Sequence, residues 1–127
     1  MKAVASCDHY VIEVDEIKNR IIFAMKGAWT DANAVPDWLE DMRKALKYVK
    51  RGFTELIDWT DVSAIVLTDY IAAAQQLAID AGLRKAARVY SGEKFLKIQM
   101  DTLSKKTSFP VESFFTREEA ETWLDQS

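Results

Sequence analysis

The feature that most constrains the fold is residues 53–59, an apolar strand pattern between two long helical patterns. Aromatic and branched residues dominate this stretch, and Gly52 precedes it, which is typical of a buried strand. A strand between two helices favours a parallel position that is covered on both faces. Ligands usually meet such a sheet at the carboxyl ends of its strands. We therefore expect the functional surface where Asp58, Asp61 and Asp69 follow this strand.

The remaining hydrophobic patterns predict an α/β fold with the element order ββαβαβαβα. Alternating or compact apolar runs predict strands at 9–15, 21–27, 53–59, 85–90 and 111–115. Apolar residues at spacings of three and four predict helices over 35–49, 69–81, 93–106 and the stretch after Thr116. The short polar connection between the first two strands predicts an antiparallel hairpin. We expect a mixed five-stranded sheet, with the first strand antiparallel to the rest, and about four helices.

Local signals fix several helix ends. Thr116 and Glu119 have the spacing of a capping box, which predicts that the last helix begins after Thr116. Thr68 suits the cap of the helix over 69–81, and Gly82 suits its end. We expect four strand residues to be buried: Leu56, Ile57, Val89 and Phe114.

Length, charge and cysteine content exclude several classes of protein. A chain of 127 residues predicts a single domain over 1–127. The net charge of −3 gives no basic surface for nucleic acid. One cysteine, Cys7, excludes an internal disulfide and suits a reducing compartment. No apolar run approaches the roughly 18 residues of a membrane span, and the first six residues make a poor signal peptide. We therefore expect a cytoplasmic protein.

The sequence shows no recognisable catalytic or metal-binding set. His9 stands alone, Cys7 has no cationic neighbour, and four glycines form no phosphate-binding loop. Asp58, Asp61 and Asp69 suit either a magnesium pocket or turn and helix-start roles, of which we favour the second. We expect no enzyme activity, no metal and no cofactor.

Two stretches resemble a known family. Residues 56–62 (LIDWTDV) form a strand that enters a helix, and residues 114–124 (FFTREEAETWL) are similar to the close F-x-x-x-E-x-A-x-x-W-L. With the element order, they resemble the SpoIIAA-like family, which has the STAS fold of anti-sigma-factor antagonists and is sometimes described as STAS/CRAL-TRIO-like. The resemblance covers nearly the whole chain and implies a STAS-like sheet with helices packed on it.

The chain departs from that family at the start of one helix. Antagonists carry Asp-Ser-Ser-Gly there, and a partner kinase phosphorylates the first serine. Residues 66–69 occupy this place, with Leu67 at the acceptor position and Thr68 one residue later. Because leucine has no hydroxyl group, the resemblance implies that the phosphorylation switch is absent. CRAL-TRIO-like relatives imply instead an apolar or lipid-like ligand between mobile helices and the sheet.

We predict a non-enzymatic binding module for an apolar small molecule or lipid, with peripheral association at the inner membrane surface. The alternative is an antagonist-like regulator that binds a protein partner and lacks the switch. A purely structural alternative also stays open. In it, the helices over 69–81 and 93–106 complete the core or a homodimer interface. Lys94, Lys97 and Lys105 suit an anionic membrane surface, although Asp101 has the spacing to pair with two of them.

The predicted ligand site lies between the helices over 69–81 and 93–106. The prediction depends on an apolar run over 65–67, where a loop would usually be polar. It also depends on the broad apolar side of the helix over 93–106. The predicted ligand-binding residues are Trp59, Ile65, Val66, Leu67, Tyr70, Ile71, Phe95, Leu96 and Met100. The predicted partner-binding residues are Asp61, Thr68 and Asp69.

Overall fold

The computed structural model describes residues 1–66, 68–90, 105 and 108–126. Within these ranges, six strands form one sheet whose spatial order is the same as their order along the chain. The strands are β1 (Lys2–Ser6), β2 (Tyr10–Asp15), β3 (Arg20–Trp29), β4 (Thr54–Ile65), β5 (Lys85–Val89) and β6 (Val111–Phe114). β2 is antiparallel to both of its neighbours, and β3 to β6 are parallel to one another. The mixed sheet and its one reversed strand confirm the predicted α/β class.

Three helices pack on the sheet in the described ranges. They are α1 (Trp38–Leu46), α2 (Thr68–Asp80) and α3 (Arg117–Asp125), and a short 3-10 turn, Ala32–Ala34, precedes α1. The remaining predicted helix, over 93–106, lies outside the described residues except for Lys105, which is helical. No helix in the described part of the chain is long and apolar enough to cross a membrane.

The sheet has one strand more than the five that the sequence predicted. β1 pairs antiparallel with β2, and its register places Lys2 opposite Val14 and Ala5 opposite Ile12. Its small residues, Ala3 and Ala5, have weak strand propensity. The strand therefore depends on its long-range partner, which a local pattern does not reveal.

The strand predicted over 53–59 is also longer than expected. β4 continues to Ile65 because β3 runs beside it over ten residues, as far as the pair Trp29 and Ile65. The register shifts at two places, one of them next to Gly27, which has a φ of +75°. Asp58 and Asp61 therefore lie within the strand, and the expectation that they mark its end was wrong. Pairing with a long neighbour outweighs their local preference for turns.

The two faces of the sheet carry separate cores. α1 and α2 cover one face over an aromatic cluster, in which the rings of Trp29 and Trp38 lie 5.0 Å apart and nearly perpendicular. α3 covers the other face and packs on Ile22, Leu56 and Val89. Leu56, Ile57 and Val89 are buried as predicted, whereas Phe114, on the edge strand β6, is only half-buried.

The helix ends predicted at Thr68, Gly82 and Thr116 are found within one residue, whereas α1 is three residues shorter at each end than the predicted helix over 35–49. The Thr116 hydroxyl accepts a hydrogen bond from the Glu119 backbone N–H, so Thr116 caps α3. After α2, Gly82 takes a φ of +99°, and its N–H donates to the Ile79 carbonyl while the Leu83 N–H donates to that of Ala78. These two bonds form a Schellman motif. α2 begins at Thr68, one residue earlier than predicted, so Thr68 belongs to the helix and does not precede it.

Because β4 is buried on both faces, a charge introduced at one of its core positions should strongly destabilise the protein. Leu56→Asp should destabilise the protein by more than about 3 kcal/mol, because the carboxylate would be buried between the sheet and α3 without a partner. Ser63→Asp, at an exposed position on the same strand, should change stability by less than about 1 kcal/mol. Urea unfolding of both variants measures the difference, and equal stabilities would contradict the assignment of Leu56 to the core.

Candidate functional site

A cavity lies between the sheet and the helices α1 and α2. Its volume is about 30 Å³, or about 360 Å³ when the open space at its mouth is included. The smaller volume is enough for about two water molecules. Most of the described residues on its wall are apolar, and the large ones include Phe23, Met25, Trp38, Met42, Trp59, Ile71 and Phe109.

The secondary structure explains why these side chains meet. Side chains alternate between the faces of a strand, so Ile57 and Trp59 of β4 point to the same face. Phe23 of β3 lies beside Ile57 in the parallel register. Residues four apart share a helix face, so α1 presents Trp38 together with Met42. Helices and strands therefore supply every described wall residue except Phe109, which lies in the loop before β6.

Two ionisable side chains, Glu55 and Arg88, interrupt this apolar wall. Glu55 lies on the same face of β4 as Ile57, is 2% exposed, and lines the cavity. Burial raises the pKa of its carboxyl group to about 8, although the positive charge of Arg88 acts in the opposite direction. Arg88 lies on β5 opposite Ile57, is 1% exposed, and also lines the cavity. Gln75 of α2 is a third buried polar residue on the wall.

The buried polar atoms without a hydrogen-bond partner in the described structure include the Glu55 Oε2 atom and the indole Nε1 atoms of Trp38 and Trp59, all on this wall. Buried polar groups in folded proteins are nearly always hydrogen-bonded, and an unsatisfied one costs about 1–3 kcal/mol. The cavity therefore combines an apolar wall with one carboxyl oxygen and two N–H donors that could still form hydrogen bonds.

Two of the predicted ligand-binding residues lie on this wall, and three other described ones lie elsewhere. Trp59 and Ile71 line the cavity. Ile65 is the last residue of β4 and is 4% exposed, so the expectation that it lies in an apolar loop was wrong. Its pairing with Trp29 holds it in the sheet. Val66 does follow the strand and is 63% exposed, and its N–H donates to the Trp29 carbonyl.

Tyr70 has a different role from the one predicted from its position. It is half-buried on α2, and its hydroxyl donates to the backbone carbonyls of Val35 at 3.0 Å and Pro36 at 3.3 Å. These bonds hold the start of α2 against the segment before α1. The remaining predicted ligand-binding residues lie outside the described residues: Leu67, Phe95, Leu96 and Met100.

The predicted partner-binding residues lie on the surface where their environment is described. Asp61 is exposed on β4 opposite Lys26, and Asp69 is exposed in the first turn of α2, where a carboxylate suits the helix dipole. Thr68 is the first residue of α2. Asp58 instead contacts the start of α3, where its Oδ2 atom accepts a hydrogen bond from Arg117 at 2.8 Å. In the described ranges, no three carboxylate, histidine or cysteine side chains come together as a metal ion would require.

Sequence reasoning missed Glu55, Gln75 and Arg88. The sequence prediction considered only polar residues at the ends of strands, because sites in α/β sheets usually lie there. The available signal was a charged residue inside a strand covered on both faces, where apolar residues are the rule. Glu55 in β4 and Arg88 in β5 both break that rule.

The raised pKa of Glu55 predicts a pH dependence of stability. Its pKa in the unfolded chain is about 4.5, so between about pH 4.5 and 8 the folded state holds more protons than the unfolded state. The free energy of unfolding should therefore fall as pH rises through this window, by up to about 1.4 kcal/mol per pH unit from this group.

Glu55→Gln should remove that contribution. The difference in the free energy of unfolding between Glu55→Gln and the wild type should increase steadily from pH 5 to pH 8 in urea titrations. Glu112→Gln, which changes an exposed carboxyl group on β6, serves as the matched control and should show no such trend. A constant difference for Glu55→Gln would mean that Glu55 is not buried as described.

Comparison with known proteins supports the fold alone. No protein-family model matches the sequence, and no curated protein matches it. Among solved structures, the chain is similar to an uncharacterized protein from the DUF3478 family with a SpoIIAA-like fold, from Shewanella loihica PV-4. The similarity covers 94% of this chain and 97% of that one, with a TM-score of 0.62 and 17% sequence identity. The chain therefore has a SpoIIAA-like fold.

Proposed function

We propose that this protein is a non-enzymatic SpoIIAA-like binding module that holds a small apolar or lipid-like ligand between the sheet and the helices α1 and α2. The observation that supports this is the cavity, whose wall is aromatic and aliphatic with a few buried polar groups. Small-molecule sites usually have this composition, with polar groups that orient the ligand.

The cavity must widen to hold a molecule larger than about two waters, and α2 is the element best suited to move. The fully buried apolar side chains of α2 are Ile71 and the small Ala74 and Ala78, and its larger Tyr70, Leu77 and Ile79 are only partly buried. Small side chains bury little apolar area, so displacing this helix exposes less surface than displacing a leucine-rich one. Met25 and Met42 line the same space, and methionine side chains repack readily around a ligand.

Membrane association and partner binding remain predictions. The residues expected to rest on an anionic membrane surface lie within 93–106, almost all of which is outside the described residues. The antagonist-like alternative depends on Asp61 and Asp69, which are exposed and available to a protein partner. Failure of every small apolar probe to enter the cavity would favour that alternative.

The methionine methyl groups offer a direct test of the cavity. We expect a titration with toluene, followed by NMR of ¹³C-methyl-labelled methionines, to shift the signals of Met25 and Met42 saturably, because both line the cavity. The signal of Met1, which is 73% exposed and absent from this wall, is the internal control and should stay in place. Shifts at Met1 without shifts at Met25 and Met42 would contradict the proposed site.

A side chain that fills the cavity should block the ligand. Ala74→Leu adds three carbon atoms to a wall residue, so we expect the affinity for toluene to fall at least about tenfold, or 1.4 kcal/mol. Gln76→Leu makes a similar apolar change at an exposed position of the same helix and should bind toluene like the wild type. Thermal unfolding confirms that both variants are folded, and undiminished binding by folded Ala74→Leu would place the ligand elsewhere.

A further inference from the structure

The carboxyl group of Glu55 is the least expected feature of the cavity. It is 2% exposed, and its Oε2 atom has no hydrogen-bond partner, although the wall around it is largely apolar. An apolar side chain of similar volume would fill this position without the cost of burying an unsatisfied oxygen. Because Glu55 lies in β4 with a paired strand on each side, it cannot reach solvent by a simple rotation of a loop.

The other unpaired polar groups on the cavity wall restrict the kind of ligand that could form a hydrogen bond with Glu55. The indole N–H groups of Trp38 and Trp59 are donors without partners, and both residues line the same cavity. A hydroxyl group both donates and accepts hydrogen bonds. It can therefore form a hydrogen bond with Glu55 as donor or as acceptor, whichever the carboxyl group requires.

The burial of the wall argues against an ionic ligand. The guanidinium group of Arg88 is positively charged, so an ammonium group entering the cavity would be repelled by it. A neutral group also avoids the large cost of moving a charge out of water.

We propose that the ligand of this cavity is a neutral apolar molecule with a hydroxyl group, and that this group forms a hydrogen bond with Glu55. The proposal rests on the proposed function, since it concerns the same cavity. The raised pKa of Glu55 agrees with it, because a carboxyl group that is protonated at pH 7 adds no charge to the site. Glu55 then selects for the hydroxyl group, and the apolar wall accepts the rest of the molecule.

The test compares four small probes on three proteins at pH 7. The probes are 1-hexanol, hexylamine, hexanoate and toluene, and the readout is the methyl shift of Met25 and Met42. The proteins are the wild type, Glu55→Met, which removes the carboxyl group at similar volume, and Glu55→Gln, which keeps a hydrogen-bonding group. Thermal unfolding establishes that each variant is folded.

We expect 1-hexanol to bind Glu55→Met about tenfold more weakly than it binds the wild type, which is the loss of one hydrogen bond. Glu55→Gln should stay within about threefold of the wild type, and toluene should bind all three proteins equally. Hexylamine and hexanoate should bind the wild type more weakly than 1-hexanol does.

The outcomes separate this proposal from the proposed function. Equal affinity of 1-hexanol for the wild type and Glu55→Met, with toluene still bound, would overturn the role of Glu55 and leave the cavity as a ligand site. Tighter binding of hexylamine or hexanoate would overturn the neutral hydroxyl in favour of a charged group. Absence of toluene and 1-hexanol from the cavity of all three proteins would overturn both proposals.

Discussion

The parallel pairing of β3 with β4 determines where each wall residue of the cavity lies. The register begins with Arg20 opposite Thr54 and ends with Trp29 opposite Ile65. Because side chains alternate between faces, this register places Glu55 on the side of α1 and α2. A shift of β4 by one residue would turn Glu55 toward α3 and expose Leu56 to the cavity. Burial on both faces makes such a shift costly, so the position of the carboxyl group is fixed by the fold.

The two helices that cover the cavity are held by different interactions. α1 packs into the aromatic cluster through Trp38, and the Tyr10 hydroxyl donates to the Asp41 carboxylate at 2.7 Å. Burial, followed by this hydrogen bond, raises the pKa of Tyr10 far above its usual value, so the hydroxyl stays a donor. The fully buried apolar side chains of α2, by contrast, are Ile71 and two alanines. For the proposed ligand, we therefore expect entry from the side of α2.

The sequence predicts the parts of this fold that depend on local chemistry. The cap at Thr116 and the stop at Gly82 are properties of a few neighbouring residues, and both were predictable. β1 and the second half of β4 were not, because each is a strand only through pairing with a distant segment. Trp59 and Ile71 were predicted as site residues, and both line the cavity. Glu55 was not, because its importance depends on what surrounds it in three dimensions and not on its neighbours in sequence.

The opposite face of the sheet explains why movement should be concentrated in α2. α3 is tied to the sheet near both ends: Asp58 accepts from Arg117 at its start, and buried Arg20 donates to Asp125 at its end. Burial alone would raise the pKa of Asp58, but its hydrogen bonds from Thr60 and Arg117 outweigh that effect and lower it.

The end of α3 has a second attachment to the sheet. The Lys85 ammonium donates to the backbone carbonyls of Trp123 and Gln126, which suits the negative end of a helix dipole. Because α3 is attached to β3, β4 and β5, it supports the sheet on the face opposite the cavity. For the proposed ligand, we therefore expect α2 to be displaced before the strand that carries Glu55 is distorted. On this proposal the carboxyl group stays in a fixed position while the apolar wall opposite it adapts, and this division suits selection of one polar group on apolar molecules of varied shape.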